Sequence, residues 1–334
     1  MDIRTVSRPT CLLCGSKGRE LYSNLKDRLY GVPGTWSLKE CVDDRCGLCW
    51  PDPIPCEEDI PLLYRSYYTH SVGSSKRKFA GKLRSFFYKG YMAVGYIPSS
   101  FLGVRKARHQ VFNMFLDELK PGKLLDVGCG DGGFLHRMHT LGWAPTGLDF
   151  DGKAIENAKA LYGKSMTVMH TDLLGAGFPE GEFDAVTMNH VIEHVPDPVG
   201  VLREARRVLK VGGRLVVTTP NIRSLGHRMF SESWRGLETP RHLQIFTRAA
   251  IRACAQKAGF KQVSASTTAA NADTIIGASF SLVEAQKNED YSSGSRIKIN
   301  LIRGLRSLLL QYREAIQLRQ DPECGEELVL ICEK

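Results

Sequence analysis

Residues 123–133 read KLLDVGCGDGG, an apolar run that passes directly into a glycine-rich loop. Glycines after a buried strand allow a tight turn, and the amides that open the next helix face any ligand held in that turn. The spacing of Gly128, Gly130 and Gly133 fits the dinucleotide-binding pattern, but by itself it also fits a turn without a ligand. The residues around the loop must therefore identify what it binds.

Strands and helices alternate on the carboxyl side of this loop. The predicted strands cover residues 123–128, 145–150, 166–172, 183–189, 213–220, 261–267 and 327–334. The predicted helices between them cover residues 153–163, 198–210 and 248–260. This alternation is typical of an α/β fold with a parallel sheet and crossover helices. A helical insertion at about 272–322 separates the last two strands and is expected to form a cap, an oligomer contact or a substrate wall.

Acidic residues stand at the ends of three successive predicted strands. Asp126 lies two residues before the first loop glycine, where a carboxylate can hold an ammonium group. Asp149 ends the next strand, where a carboxylate can accept both hydroxyls of a ribose. Asp172 ends the third strand, in position to accept from an adenine amino group. Three acids suit a ligand with an ammonium, a ribose and an adenine, and they suit a pyrophosphate poorly.

The chain resembles the class I S-adenosylmethionine-dependent methyltransferases, and most of all the branch of ubiquinone-biosynthesis-type O-methyltransferases. The resemblance covers residues 123–269 and 327–334 and is carried by the stretches DVGCGDG at 126–132, GLD at 147–149, FDAVTMNHVIEHVPDP at 183–198 and RVLKVGGRLV at 207–216. It implies a Rossmann-like, seven-stranded, mostly parallel sheet with a reversed last strand in residues 121–334. The cofactor contacts that it implies fall on Asp126, Gly128, Gly130, Asp149, Phe150, Asp172, Leu173, Asn189 and His190, with the last two beside the sulfonium.

Six of the ten cysteines lie between positions 11 and 56. Two knuckle-like pairs, each followed by glycine, predict a structural Zn²⁺ site in a zinc-ribbon-like module over residues 1–70, with the ligands Cys11, Cys14, Cys41 and Cys46. Cys49 offers a competing C-x2-C pairing with Cys46, and Cys56 is also near. Buried reduced cysteines without metal are the alternative. The module is also similar to that of deoxysugar C-methyltransferases.

The formal net charge of +9 comes from 45 basic and 36 acidic side chains, and the excess of basic side chains lies in one segment. Residues 76–110 contain nine basic and no acidic side chains. This segment, within a predicted basic helical linker over 71–120, is interpreted as a helix packed on the catalytic domain, as a peripheral contact with an anionic membrane, or as a wall that binds phosphate. Its predicted apolar face contains Phe79, Leu83, Phe86 and Phe87.

Histidines and acids after the fourth and fifth strands are the candidates for chemistry. His190 and His194 are four residues apart and are expected on one helical face, with Glu193 beside them. His242 lies in a loop that also contains an aromatic ring, an acid and an arginine. The predicted catalytic residues are therefore Glu193, His194 and His242, for proton removal from an acceptor. His227 and Arg228 are weaker candidates, and a structural or capping role is the alternative for each histidine.

The predicted function is methyl transfer from S-adenosylmethionine to the hydroxyl of a small-molecule or a sugar- or lipid-linked (glycolipid-type) acceptor. RNA methylation, sugar C-methylation and a non-catalytic binding module remain alternatives, although nucleic acid is not favoured because the sequence contains no RNA-binding pattern. The sequence contains no run of about 18 apolar residues, and its start lacks the apolar core of a signal peptide. It thus predicts a cytoplasmic protein, and it leaves the oligomeric state open.

Overall fold

The computed structural model describes residues 3–64, 99–163, 166–287 and 301–334. The strands are β1 (Thr5–Val6), β2 (Gly18–Leu25), β3 (Trp36–Cys41), β4 (Cys49–Pro51), β5 (Ile54–Pro55), β6 (Lys123–Val127), β7 (Ala144–Asp149), β8 (Thr167–His170), β9 (Phe183–Asn189), β10 (Leu209–Pro220), β11 (Gln262–Thr268) and β12 (Glu327–Glu333). The α-helices are α1 (Val104–Phe112), α2 (Gly133–Thr140), α3 (Gly152–Tyr162), α4 (Pro198–Val208), α5 (Leu225–Phe230), α6 (Arg248–Lys257), α7 (Ala272–Lys287) and α8 (Leu301–Gln317). A 3-10 helix covers Glu57–Tyr64.

The central sheet has seven strands in the order β11-β12-β10-β9-β6-β7-β8. Strands β6 to β10 pair in parallel, whereas β12 runs antiparallel to both β10 and β11, between which it lies. Helices α4 and α6 pack on one part of this sheet through their apolar faces, in a core that includes Leu202, Ala205 and Ile251. This arrangement confirms the predicted α/β, Rossmann-like fold with a reversed last strand.

Two element boundaries differ from those predicted. Strand β8, the third of the predicted strands along the chain, ends at His170, so Asp172 lies two residues beyond it. The predicted helix over 198–210 ends at Val208, and β10 begins at Leu209, four residues before the predicted strand. A bulge between Leu209 and Arg214 lets the chain enter the sheet early, before the glycine pair at 212–213.

The amino-terminal residues form a three-stranded sheet, β2-β3-β4, whose core is continuous with that of the larger domain. Trp36, Leu38 and Leu63 are buried in one cluster with Trp234 and Ile245 of that domain. The backbones of Cys49 and Ile245 exchange hydrogen bonds of 3.0 and 2.8 Å. The predicted module therefore packs directly against the loops that follow β10.

The described parts of the insertion between β11 and β12 are α7 and α8, which pack on each other and, through α7, on α5. Helix α1 joins them, because Val104 shares a cluster with Ile276 and Ala315. The greater part of the basic segment, residues 76–98, lies outside the described residues together with its predicted apolar face at 79–87. Across the ranges that the structure describes, no helix combines the length and the apolar character needed to cross a bilayer.

Candidate functional site

The glycine-rich loop connects β6 to α2 at the carboxyl edge of the sheet. Gly128 has a φ of 76°, and a Cβ atom there would lie 2.4 Å from Cγ2 of Val191, so both conformation and space require glycine. The amide of Gly130 donates to Oδ2 of Asp149 over 2.9 Å. The loop is thus tied to the end of the neighbouring strand β7.

Asp126, Asp149 and Asp172 lie at the same edge of the sheet because β6, β7 and β8 are parallel neighbours. Asp126 is buried and accepts from the Thr187 hydroxyl over 2.7 Å; burial raises the pKa of its carboxyl to about 7. The second oxygen of Asp149, Oδ1, accepts from the amide of Asp151 over 2.9 Å. Asp172 is exposed and accepts from the amide of Gly175 over 2.7 Å.

Two apolar side chains accompany these acids. Phe150, directly after Asp149, exposes 55% of its surface, and Leu173, directly after Asp172, is buried. An exposed ring beside a carboxylate at this edge of the sheet offers a surface on which an adenine can stack. The loop, the acids and this ring form one arrangement suited to an adenosine-containing ligand.

Asn189 ends strand β9, and His190 follows it directly. Asn189 Oδ1 accepts from the Thr218 hydroxyl over 2.5 Å, which fixes its amide at the sheet edge. His190 has a φ of 54°, and its ring lies between two carboxylates, with Nδ1 3.2 Å from Glu193 and Nε2 2.7 Å from Glu327. Desolvation lowers the pKa of His190, but the two carboxylates outweigh it and raise that pKa to about 10.

The same contacts keep Glu193 ionised. Burial raises the pKa of this completely buried carboxyl, but the hydrogen bond and charge of His190 lower it to about 2. The Thr219 hydroxyl donates to its other oxygen over 2.9 Å. The expectation that His190 and His194 share a helical face is wrong, since β9 ends at Asn189 and only a single 3-10 turn, Ile192–His194, follows.

His194 and His242 pack edge to face, with ring centroids 4.7 Å apart. Nδ1 of His194 lies 3.1 Å from the carbonyl of Arg241, and Nδ1 of His242 lies 2.8 Å from the carbonyl of Gly236. A carbonyl only accepts, so Nδ1 carries the proton in each ring and Nε2 is left with the lone pair. Burial and the neighbouring His194 lower the pKa of His242 to about 4.

A second group of side chains with metal-ligand atoms lies outside the cysteine cluster, and a metal site there was not predicted from the sequence. One atom each from Glu193, His194 and His242 lies within 4.8 Å of the others. Two imidazoles and one carboxylate are ligands that zinc, iron and manganese accept, and a metal-binding histidine commonly donates its second nitrogen to a carbonyl, as both rings do here. The donor set therefore fits a divalent metal ion.

The four predicted zinc ligands also come together. The sulfurs of Cys11, Cys14, Cys41 and Cys46 lie within 4.8 Å of one another, with 3.3 Å between Cys14 and Cys41 and 3.7 Å between Cys11 and Cys46. Tetrahedral thiolates about 2.3 Å from zinc would be about 3.8 Å apart, so the group fits the ion. Cys49 is fully buried, with its sulfur directed to the carbonyl of Gly47.

Sequence reasoning missed the contribution of Tyr64, the last residue of the 3-10 helix Glu57–Tyr64. Its hydroxyl lies 2.9 Å from Nδ1 of His194, and its ring packs edge-on against Phe150 with centroids 5.1 Å apart. No motif in the sequence indicates this contact, because it joins residues 130 positions apart. The amino-terminal region thus reaches both the expected cofactor pocket and the candidate catalytic residues.

The weaker candidates His227 and Arg228 have structural partners. His227 binds the Ile222 carbonyl over 2.6 Å and the Tyr22 hydroxyl over 2.9 Å, and burial lowers its pKa to about 4. Arg228 forms an ion pair with Asp321 at 2.8 Å. These contacts connect α5 to the amino-terminal sheet and to the segment before β12.

Part of this chain matches known proteins. Residues 103–265 match the model of a methyltransferase domain. A ubiquinone biosynthesis O-methyltransferase of Xanthomonas oryzae pv. oryzae is 35% identical over 132 residues, covering 36% of this chain and 54% of that protein. A protein of the same name from Thiobacillus denitrificans is 39% identical over 104 residues, covering 30% of this chain and 44% of that protein. The chain thus spans about half the length of the curated relatives it matches.

One solved structure to which the chain is similar is phosphoethanolamine N-methyltransferase 2 of Haemonchus contortus in complex with S-adenosyl-L-methionine. It is 20% identical, with a TM-score of 0.47, over 68% of this chain and 51% of that one. The match over residues 103–265 confirms the resemblance seen in the sequence.

Proposed function

We propose that this chain, whose residues 103–265 form a methyltransferase domain, transfers the methyl group of S-adenosylmethionine to a hydroxyl of a small-molecule acceptor. The observation that carries the proposal is the placement of Asp126, Asp149 and Asp172 at the ends of three neighbouring parallel strands around a glycine-rich loop. The names of the curated relatives, which are O-methyltransferases, favour a hydroxyl acceptor.

The charges of the site suit a sulfonium cofactor. Asp126 faces the ammonium group, Asp149 the ribose, and Asp172 the adenine, which stacks on Phe150 beside Leu173. Glu193 and Glu327 together with the His190 imidazolium leave one net negative charge at the end of β9. A cationic sulfonium placed beside Asn189 and His190 is stabilised by that charge.

His194 is the proposed base that removes the acceptor proton. Methyl transfer is an in-line displacement, so the hydroxyl must be aligned with the methyl group and must lose its proton. The Nε2 lone pair of His194 is free to accept that proton once Nδ1 is bound to Arg241. His242, whose pKa is lowered to about 4, is a poor base near neutral pH and is proposed to orient His194, while Glu193 stabilises the positive charge that develops.

A bound cation is the second means of activation that the donor group supports. A divalent ion held by Glu193, His194 and His242 would supply a Lewis acid for the acceptor oxygen. Activity that falls on treatment with EDTA and returns with added Mn²⁺, while the zinc content stays unchanged, assigns activation to the ion. Activity that persists in EDTA but is lost in His194→Ala assigns it to the imidazole.

A structural zinc ion on Cys11, Cys14, Cys41 and Cys46 completes the proposal. The four thiolates leave no open position for a substrate, and the ion would stabilise the turns that hold the amino-terminal sheet against the catalytic domain. The acceptor is proposed to be sugar- or lipid-linked, with the basic segment 76–110 binding its anionic part or an anionic membrane surface. This finer assignment rests on the sequence of that segment.

Calorimetric titration with S-adenosylmethionine tests the cofactor site. We expect binding by the unaltered protein and at least a tenfold loss of affinity in Asp149→Ala. Asp151→Ala is the matched control, because Asp151 caps α3 through the amides of residues 153 and 154 and is not assigned a cofactor contact. Equal affinities in all three proteins would remove the ribose assignment.

Transfer of a tritiated methyl group into a cell extract tests the acceptor class. The extract is separated after reaction into small-molecule, lipid, polysaccharide, RNA and protein fractions. We expect label in the small-molecule, lipid or polysaccharide fraction. Label confined to RNA or to protein would overturn the proposed acceptor.

A further inference from the structure

An ion pair between the amino-terminal region and the loop after β10 is buried on both sides. Nη1 of Arg241 lies 2.7 Å from Oδ2 of Asp27, and Nη2 lies 3.1 Å from Oδ1. The side chain of Arg241 is 0% exposed and that of Asp27 is 1% exposed. A bidentate pair of this kind fixes orientation as well as distance, and breaking it leaves an uncompensated buried charge.

Asp27 is itself held rigidly. Its carboxylate accepts the amides of Leu29 and Tyr30 over 2.9 and 3.1 Å through Oδ1, and the amide of Val32 over 3.0 Å through Oδ2. The guanidinium of Arg241 also lies 4.2 Å from the centre of the Tyr30 ring. The turn over residues 27–32 thus holds the Asp27 carboxylate in a fixed position to bind the guanidinium of Arg241.

The main chain of that arginine reaches the candidate catalytic histidines. The carbonyl of Arg241 accepts from Nδ1 of His194 over 3.1 Å, and the next residue is His242. Glu238, in the same loop, accepts a hydrogen bond from Nε of Arg241 over 3.0 Å. The position of the carbonyl that sets the tautomer of His194 therefore depends on where Asp27 holds the arginine.

We propose that Asp27 is a positioning residue for His194, acting through the side chain and then the carbonyl of Arg241. In this arrangement the amino-terminal region supplies part of the catalytic framework in addition to its own zinc-stabilised turns. The inference rests on the proposed function of His194, whether that ring accepts a proton or binds a cation. It predicts that loss of the Asp27 charge weakens the hydrogen bond from Nδ1 of His194 to the Arg241 carbonyl and leaves the contact of that nitrogen with the Tyr64 hydroxyl, while the cofactor pocket stays intact.

Nitrogen NMR of the histidine rings tests the inference without an acceptor. Long-range proton–nitrogen spectra of the full chain labelled in histidine report the tautomer of each ring, and a His194→Gln variant assigns the His194 signals. In the unaltered protein we expect His194 with its proton on Nδ1. In Asp27→Asn we expect those signals to move toward a mixture of the two tautomers. We expect the same direction of change in Arg241→Lys, because lysine keeps the positive charge but cannot form the bidentate pair of the guanidinium.

A second ion pair between the same two regions is the matched control. Nη2 of Arg223 lies 3.0 Å from Oε1 of Glu40, so Glu40→Gln weakens the same interface away from His194. We expect this variant to keep the His194 signals of the unaltered protein, and zinc content and the melting temperature of each variant establish that it is folded. Unchanged His194 signals in both Asp27→Asn and Arg241→Lys, or an equal change in Glu40→Gln, would overturn the inference.

Kinetics of methyl transfer into the labelled fraction give the second readout. We expect kcat to fall about 10- to 100-fold in Asp27→Asn, as for a misplaced catalytic group, with KM for S-adenosylmethionine within about twofold of the unaltered protein. A fall in affinity for the cofactor with unchanged kcat would contradict a positioning role. Absence of any methyl transfer by the unaltered protein would instead contradict the proposed function and would leave the NMR result to decide on Asp27.

Discussion

The Tyr64 hydroxyl lies 2.9 Å from Nδ1 of His194, so a residue of the amino-terminal region touches a side chain at the carboxyl edge of the methyltransferase sheet. The same ring packs on Phe150, the residue after the proposed ribose ligand. One side chain therefore contacts both the proposed cofactor pocket and the proposed base. Cofactor binding and catalysis are expected to respond differently to its stepwise removal.

Tyr64→Phe removes the hydroxyl and keeps the ring. We expect the affinity for S-adenosylmethionine to stay within about twofold and kcat to fall about fivefold, the effect of losing one hydrogen bond of about 1 kcal/mol. Tyr64→Ala also removes the contact with Phe150, so weaker cofactor binding is expected in addition. Calorimetry and methyl-transfer kinetics measure the two effects separately, and an equal effect of both substitutions on affinity would argue against the ring contact.

Cofactor affinity is expected to depend on pH through Asp126. Burial raises the pKa of this carboxyl to about 7 in the free protein, and the ammonium group of a bound cofactor would lower it. Binding then releases a proton below about pH 7, so affinity should fall as the pH drops from 7 to 5, by at most about tenfold per unit. Titrations across this range in two buffers of different ionisation enthalpy measure the release, and Asp126→Asn should abolish it.

Metal content distinguishes the two possible fourth zinc ligands. Cys46→Ser removes a sulfur of the four-cysteine group, whereas Cys49→Ser alters a buried thiol outside it. We expect about one zinc per chain in the unaltered protein and in Cys49→Ser, and a loss of zinc in Cys46→Ser. Zinc lost from Cys49→Ser and kept by Cys46→Ser would reverse the assignment of that ligand.

The sheet could be predicted from the sequence because its strands are short apolar runs that alternate with amphipathic helices. The acids at the strand ends could be predicted for the same reason, since parallel strands bring their carboxyl ends to one edge. Contacts such as Tyr64 with His194 or Asp27 with Arg241 have no local pattern. They arise from how the amino-terminal sheet packs on the loop after β10, which depends on long-range shape rather than on periodicity. The boundary at β10 was misplaced because a bulge, which has no apolar signature, brings Leu209 into the sheet.

Glu326 is expected to contribute a part of the stability that decreases with rising pH. This carboxyl is fully buried beside Trp234, whose Nε1 donates to it over 2.8 Å, and burial raises its pKa from the ordinary 4.5 to about 7. Between pH 4.5 and 7, Glu326 is ionised in the unfolded chain and stays protonated in the folded chain. The contribution of Glu326 to the free energy of unfolding should therefore fall by at most about 1.4 kcal/mol per pH unit between about pH 4.5 and 7, and level off above.

Glu326→Gln removes that proton equilibrium and keeps an oxygen for Trp234. We expect chemical denaturation at a series of pH values to show that the free energy of unfolding of this variant, minus that of the unaltered protein, grows between about pH 4.5 and 7 and stays constant above. Glu180→Gln is the control, because Glu180 is largely exposed and pairs with Lys334 at 3.4 Å. A difference in free energy of unfolding that does not change between about pH 4.5 and 7 would show that Glu326 does not titrate in this range.

Gly128→Ala tests the glycine-rich loop directly. The added Cβ would lie 2.4 Å from Cγ2 of Val191, and the φ of 76° strains any other residue, so the loop must shift away from β9. We expect at least a tenfold loss of affinity for S-adenosylmethionine in calorimetric titration. The double variant Gly128→Ala, Val191→Ala relieves the clash but not the backbone strain, so it should recover part of the loss.

Gly142→Ala is the control for backbone strain away from the site, because Gly142 has a φ of 93° and lies against Pro121. This variant should bind the cofactor with unchanged affinity. Full affinity in the single Gly128→Ala variant would show that the cofactor does not depend on this loop conformation.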